Sequence, residues 1–249
     1  MAGHSKWANI KRRKEAQDAK RGKIFTRLLR EVTIAARIGG GDPDGNPRLR
    51  SAVQDCKDNN VPNDNIARAV KKGTGDLEGS EYLELSYEGY APGGVAVLVD
   101  TMTDNKNRTV SEVRHIFSKH GGNLGENGSV SYLFDQRGYF VFDPGSMSEE
   151  EFMELALELE VEDIATDRGA LEMFTDPSRY IEVKEALAER DHKPAEAQLA
   201  KIPSTWVPVG PDTAPKVMRL LEAIEELDDV QYVWSNFEEP AEIAEAQAG

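Results

Sequence analysis

Apolar residues recur at spacings of three and four through the first 73 residues, and from Tyr82 they fall instead into alternating or continuous runs broken by further helical stretches. Between Lys23 and Ile38, residues Ile24, Phe25, Leu28, Leu29, Val32, Ala35 and Ala36 make one stripe. Lys20, Lys23, Arg27, Arg30 and Arg37 fall on the opposite side, so this helix has one face to pack and one to meet phosphate. GGGDPDGNP (39–47) ends it, and Asn46 followed by Pro47 predicts a capped second helix running to about Asp58. VPNDNIARAVKKG (61–73) predicts a third, with Asn63 or Asp64 as cap, Ile66, Ala69 and Val70 packing, and Gly73 as the stop. TGDLEGSE (74–81) reads as a linker.

The second part alternates strands with helices. YLELSYEGY (82–90) and GVAVLVDTM (94–102) predict a hairpin, TVSEVRHIFSKH (109–120) a helix stopped by Gly121, and SVSYLF (129–134) a strand. YFVFD (139–143) is a strand, and Ser148 with Glu151 makes a capping box for a helix over 148–160. EDIATD and ALEMFT form a hairpin about Arg168 and Gly169, residues 176–189 a helix, and 195–209 a last strand. That order, β-α-β-β-α-β, is the ferredoxin-like pattern. The pieces outside it, including a helix over 212–227 and the strand VQYVWSNF (230–237), would make a similar unit into which the first is inserted. The expected fold class is therefore a multidomain α+β protein, a small helical bundle followed by two ferredoxin-like αβ domains, one inserted in the other. Its parts are a basic helical domain (1–75), an αβ domain (82–135 plus 208–238), an inserted αβ domain (136–207) and an acidic tail (239–249).

Charge changes this picture. The 249 residues carry a net charge of −15, yet residues 1–75 hold 17 Lys and Arg against 8 Asp and Glu, and the remainder 13 against 37. A basic head on an acidic body points to a polyanion such as nucleic acid. The single Cys, Cys56, excludes an intrachain disulfide, the longest apolar run (GVAVLV, 94–99) is far too short for a membrane span, and the start lacks the apolar stretch of a secretory signal. The expected setting is cytoplasmic, with no membrane partner.

Candidate chemistry concentrates at the start. Lys11, Arg12, Arg13 and Lys14 are adjacent cations, followed by Lys20, Arg21, Lys23, Arg27 and Arg30, enough to displace several phosphate counterions. Trp7, beside Lys6, offers a flat face for an unpaired base, with a buried or helix-stapling Trp as the structural alternative. In DNKNRT (104–109), Asn105 and Asn107 can donate and accept and Arg108 can fork onto phosphate or a base edge, though Asn107 or Thr109 could equally be a helix cap. GGNLGENGS (121–129) ends a helix rather than opening one and reads as a turn. His115 and His120 do not share a face, His4 and His192 stand apart, and no Walker loop, nucleophile elbow or dinucleotide fingerprint occurs. A non-enzyme without cofactor, metal or small-molecule substrate is expected.

GHSKWANIKRRK, RGKIFTRLLREV, GGGDPDGNPRLR, VPNDNIARAVKKG, YEGYAPGGVAVLV, TDNKNRTVSEVRHIFSKHGGNLGENGSVSYLF, and late VPV and WSNF stand in order from residue 3 to about 238. Together they resemble the YebC family, which includes the mitochondrial translational activator of cytochrome oxidase subunit one. The resemblance implies three domains, and His4, Lys6, Lys11, Arg12, Arg13, Lys14, Lys20, Arg21 and Lys23 as nucleic-acid contacts. With the opening motif at residue 3, it implies a bacterial, cytoplasmic member without a mitochondrial presequence. Family members are described as DNA-binding transcriptional regulators, and others as ribosome-associated factors that help translation through proline runs. The implied partners are ribosomal RNA or DNA, with ribosomal protein surfaces. An acidic body is repelled by an open duplex, whereas a small basic domain can enter a ribosomal RNA crevice, which favours RNA, with DNA and a protein-only adaptor as the alternatives.

Overall fold

The computed structural model of the chain describes residues 21–78, 81–167 and 169–240. Three helices come first: α1 (Arg21–Gly39), α2 (Pro47–Asp58) and α3 (Asn63–Thr74). The apolar stripe of α1 packs on the other two through Val32, Ala35, Ala36, Leu49, Ala52, Cys56, Ile66 and Ala69. Asn46 caps α2 by accepting from the Leu49 amide at 3.1 Å, and its Nδ2 donates to the Ala35 carbonyl at 2.8 Å, tying the end of α1 to the start of α2. Two expectations for α3 fail. Pro62, not Asn63 or Asp64, holds the cap position, and Gly73 lies inside the helix, which ends at the left-handed Gly75. Gly73 is present for closeness: a Cβ there would stand 2.3 Å from the Thr33 carbonyl of α1.

Next come β1 (Leu83–Ala91), β2 (Val95–Thr103), α4 (Lys106–Lys119), β3 (Asn123–Leu124) and β4 (Phe134–Phe142). They are followed by α5 (Glu149–Glu158), β5 (Asp163–Asp167), β6 (Ala170–Thr175), α6 (Tyr180–Glu189) and β7 (Glu196–Pro203). The described chain ends with β8 (Val207–Pro208), α7 (Ala214–Glu225), β9 (Val230–Ser235) and β10 (Phe237–Glu238).

The second sheet has the order β5-β6-β4-β7, all antiparallel, which is the ferredoxin-like arrangement expected. The first has the order β3-β1-β2-β9, and here the strand between β2 and β3 is β1, which precedes the unit. Residues 134–203 build the second sheet and interrupt the first between β3 and α7. β4 therefore carries the inserted sheet back to Phe134, two residues before the expected boundary at 136.

The expected strand at 129–134 is a 3-10 turn, Ser131–Leu133, leading into β4. Its amides are taken by a side chain: the Glu88 carboxylate accepts from Gly128, Val130 and Ser131 at 2.7–2.8 Å, leaving no strand ladder for them. The strand expected over 195–209 stops at Pro203, and the one expected over 230–237 breaks at Asn236, whose Oδ1 accepts from the Ala96 amide at 2.8 Å. Their remainders, β8 and β10, pair in parallel.

The two sheets face one another. Ala96, Leu98 and Trp234 of the first pack on Tyr139, Val141, Phe174 and Ala200 of the second. Asp100 bridges them polar-side, accepting from Lys201 Nζ and from Trp234 Nε1, each at 2.7 Å. The outer faces are covered by α4 and α7 on one side and by α5 and α6 on the other. The layers therefore run helix, sheet, sheet, helix, with the three-helix unit set against the end of α7 and the middle of α6.

Candidate nucleic-acid interface

Most of the sequence-chosen contacts, His4, Lys6, Trp7, Lys11, Arg12, Arg13, Lys14 and Lys20, lie outside the described residues. Arg21 is the first residue of α1, so the basic arm leads directly into that helix. Downstream, Lys23, Arg27 and Arg30 make contacts within the chain. Lys23 Nζ donates to the carbonyl of Glu225, the last residue of α7, and Arg30 Nη1 to the Asp228 carbonyl in the turn that follows. The Arg27 guanidinium lies 5.0 Å from the Tyr232 ring centroid and that of Arg30 5.3 Å from the Tyr82 ring. A helix C-terminus exposes unpaired carbonyls with partial negative charge, so the polar stripe of α1 finds its anion within the same chain.

The centre of this junction is Asp229, which is 2% exposed. Its Oδ2 accepts from Arg108 Nη2 at 2.7 Å, Thr109 Oγ1 at 2.8 Å and Thr103 Oγ1 at 3.0 Å, and its Oδ1 lies 3.3 Å from Arg30 Nη2. Burial works against its charge, but the hydrogen bonds from Arg108, Thr109 and Thr103 outweigh it and hold the carboxyl below the usual aspartate range. Within DNKNRT, Asn105 and Arg108 have partners in the chain. Asn105, rather than Asn107 or Thr109, caps α4 by accepting from the Arg108 amide at 3.1 Å, and Arg108 also pairs with Asp104 at 3.0 Å. Asn107 is exposed beside Lys106 at the start of α4.

A second junction joins α2 to α6. Lys184 Nζ donates to Asp55 Oδ1 at 2.6 Å and to Ser51 Oγ at 3.1 Å, and Arg50 Nε to Glu185 at 2.7 Å. Arg48 reaches from α2 to Glu31 of α1 and to Glu84 of β1, at 2.6 and 2.8 Å. Near it, burial and the adjacent Asp55 push the Cys56 thiol up to about 11, which keeps it protonated at neutral pH.

Among the described residues of the helical unit, the exposed cations without an ion pair are Lys57 on α2 and Arg68, Lys71 and Lys72 on α3. Arg68, Lys71 and Lys72 stand at i, i+3 and i+4 and share one face. That spacing is visible in the sequence, where 61–73 shows itself first as a packing helix. Asp229 and Glu88 carried no such signal, being two acids among 45. Among the described residues, no group of three His, Cys, Asp or Glu is arranged to hold a metal ion, and no helix is long and apolar enough to cross a membrane.

This is a helical unit with a basic lead-in, docked through ion pairs on an acidic pair of facing αβ units. Residues 5–76 match the model of the TACO1/YebC protein N-terminal domain, and residues 82–237 match that of the TACO1/YebC second and third domain. The chain belongs to the TACO1/YebC family. A "Probable transcriptional regulatory protein" of Nitrosococcus oceani is 54% identical over all of both chains, and one of Syntrophus aciditrophicus is 52% identical over 98% of each. The crystal structure of a conserved hypothetical protein from Aquifex aeolicus superposes with a TM-score of 0.84 at 51% identity, covering 91% of this chain and 93% of that one.

Proposed function

We propose that this chain is a non-enzymatic, nucleic-acid-binding regulator of gene expression that acts on RNA at the ribosome, easing translation of difficult, proline-rich sequences. The observation that carries the nucleic-acid reading is the separation of charge. The excess of Lys and Arg lies in the first 75 residues, and the αβ body that follows is acidic. Such a body is repelled by the open surface of a duplex, while a ribosomal crevice admits a basic end and leaves the rest facing protein or solvent. The regulatory reading is supported by the names of the relatives. Those names, with the word transcriptional, also favour a second reading, a DNA-binding transcription regulator.

Sedimentation of lysate through sucrose at moderate salt separates the two. Co-migration with ribosomes supports the translational reading, and recovery only with promoter DNA overturns it. Complexes that all survive nuclease would mark a protein-only adaptor. Replacing Lys11, Arg12, Arg13 and Lys14 by Ala should weaken binding to any nucleic acid and flatten its salt dependence, by about 0.9 in the log-log slope per lost contact on duplex DNA and about 0.7 on single strands. An unchanged slope removes the arm from the interface.

A further inference from the structure

Resting on that reading, we infer that the cleft between α1, α3 and the residues Leu77 and Tyr82 is a pocket for one unpaired base of a single-stranded nucleic acid, with the Arg68–Lys71–Lys72 face of α3 holding the flanking phosphates. The cleft has a volume of about 300 Å³, at the small end of ligand pockets. Its apolar lining is made by Leu77, which is 41% exposed, and the half-buried Tyr82, whose ring also lies 5.3 Å from the Arg30 guanidinium, while Ile34 of α1 closes the floor and is 1% exposed. An aromatic ring beside the exposed Leu77 side chain suits a base, because every base has a face that stacks without regard to sequence.

Charge decides which part of the nucleotide enters. Arg37 lines the cleft but already faces Glu81 at 3.8 Å, and Glu78 adds a further carboxylate. A phosphate placed inside would meet two acids and the committed Arg37, with Lys72 at the edge as its one available cation. A base carrying an exocyclic amino group would instead find two acceptors, so adenine, cytosine and guanine are favoured over uracil. Phosphates have a better place just outside. Lys72 lines the cleft and continues onto the exposed row with Lys71 and Arg68, none of which has an ion-pair partner among the described residues. Lys71 and Lys72 also complement the C-terminal end of α3, but Arg68, a turn earlier, lies beyond that effect. A duplex cannot use this arrangement, since its bases are stacked and paired, so the site selects single strands.

The test uses the full chain with fluorescent A10, U10 and a ten-base-pair duplex, titrated over a salt series. The wild-type chain should prefer A10 over U10 and over the duplex. Tyr82→Ala should lose about fivefold or more on A10, the lower range for a stacked base, while Tyr82→Phe retains affinity. A circular-dichroism melt of both variants separates lost stacking from lost folding, and Tyr82→Phe binding like Tyr82→Ala overturns the stacking role. The triple variant Arg68→Ala, Lys71→Ala, Lys72→Ala should lower the single-strand salt slope by about 2. A control triple, Lys193→Ala, Lys216→Ala, Arg219→Ala, removes equal charge from exposed positions elsewhere and should leave the slope unchanged. Equal losses in the two triples, or equal affinity for A10, U10 and duplex, overturn the inference while nucleic-acid binding stands. Absence of binding to all three probes and to ribosomes overturns both.

Discussion

Asp229 shows how one side chain can hold several elements. It lies in the turn between α7 and β9 and receives Arg108 and Thr109 from α4, Thr103 from β2 and Arg30 from α1. Removing its charge leaves two arginines facing a neutral acceptor. Asp229→Asn should therefore cost about 1.5–3 kcal/mol, the worth of a hydrogen bond to a charged group. The pH dependence follows from the lowered folded-state value. The contribution is complete above the unfolded aspartate value near 3.9 and is lost as pH falls through the folded one. Urea melts between roughly pH 5 and 2 should show a flatter acid limb for Asp229→Asn than for the parent. Glu88 follows the same logic: burial disfavours its charge, three backbone amides outweigh that, and its carboxyl is held below the usual range. Both were illegible in the sequence, because what distinguishes a buried acid from a solvated one is the donors that surround it.

The helices and most strands were legible, because their apolar spacing follows from the geometry of one element. The differences fall where a side chain took the place of a backbone partner, as Glu88 did for the amides of Gly128, Val130 and Ser131 and Asn236 for that of Ala96. Gly73 is the clearest case. Its position after Lys71 and Lys72 reads as a stop, yet it lies where α3 crosses α1. Helix propensity favours Ala over Gly by about 1 kcal/mol, but the added Cβ would meet backbone at 2.3 Å and push the helices apart. Gly73→Ala should destabilise the chain by roughly 1–3 kcal/mol, read as a lower midpoint in thermal unfolding.

Across the molecule, charge has two uses that the sequence shows as one. Lys23 and Arg30 of α1 and Arg50 of α2 join the helical unit to its own acidic body, at Glu225, Asp228 and Asp229 on one side and at Glu185 on the other. Lys184 repeats the bond in the opposite sense, a cation of the body on Asp55 of the helical unit. Lys184→Glu places like charges together at that contact. Hydrogen exchange should then rise by about tenfold, an equivalent of roughly 1.4 kcal/mol, in α2 and α6, with the central strands β2 and β4 unchanged. A uniform rise across all elements would mean global destabilisation instead of loosened docking.

Apolar period, capping residues and the division of charge are local properties of the chain, and from them came three helices, two αβ units, the insertion of one in the other, and a polyanion as the expected partner. Tertiary structure decided which cations remain available. Lys23, Arg27 and Arg30 share their stripe with the basic arm, but the carbonyls at the end of α7 and the rings of Tyr232 and Tyr82 stand across from them. Arg68, Lys71 and Lys72 face solvent because the opposite side of α3 is pressed against α1. A charge in a sequence has a sign and a neighbour on each side, while its partner is set by whatever folding brings across from it, and that depends on packing between elements far apart in the chain.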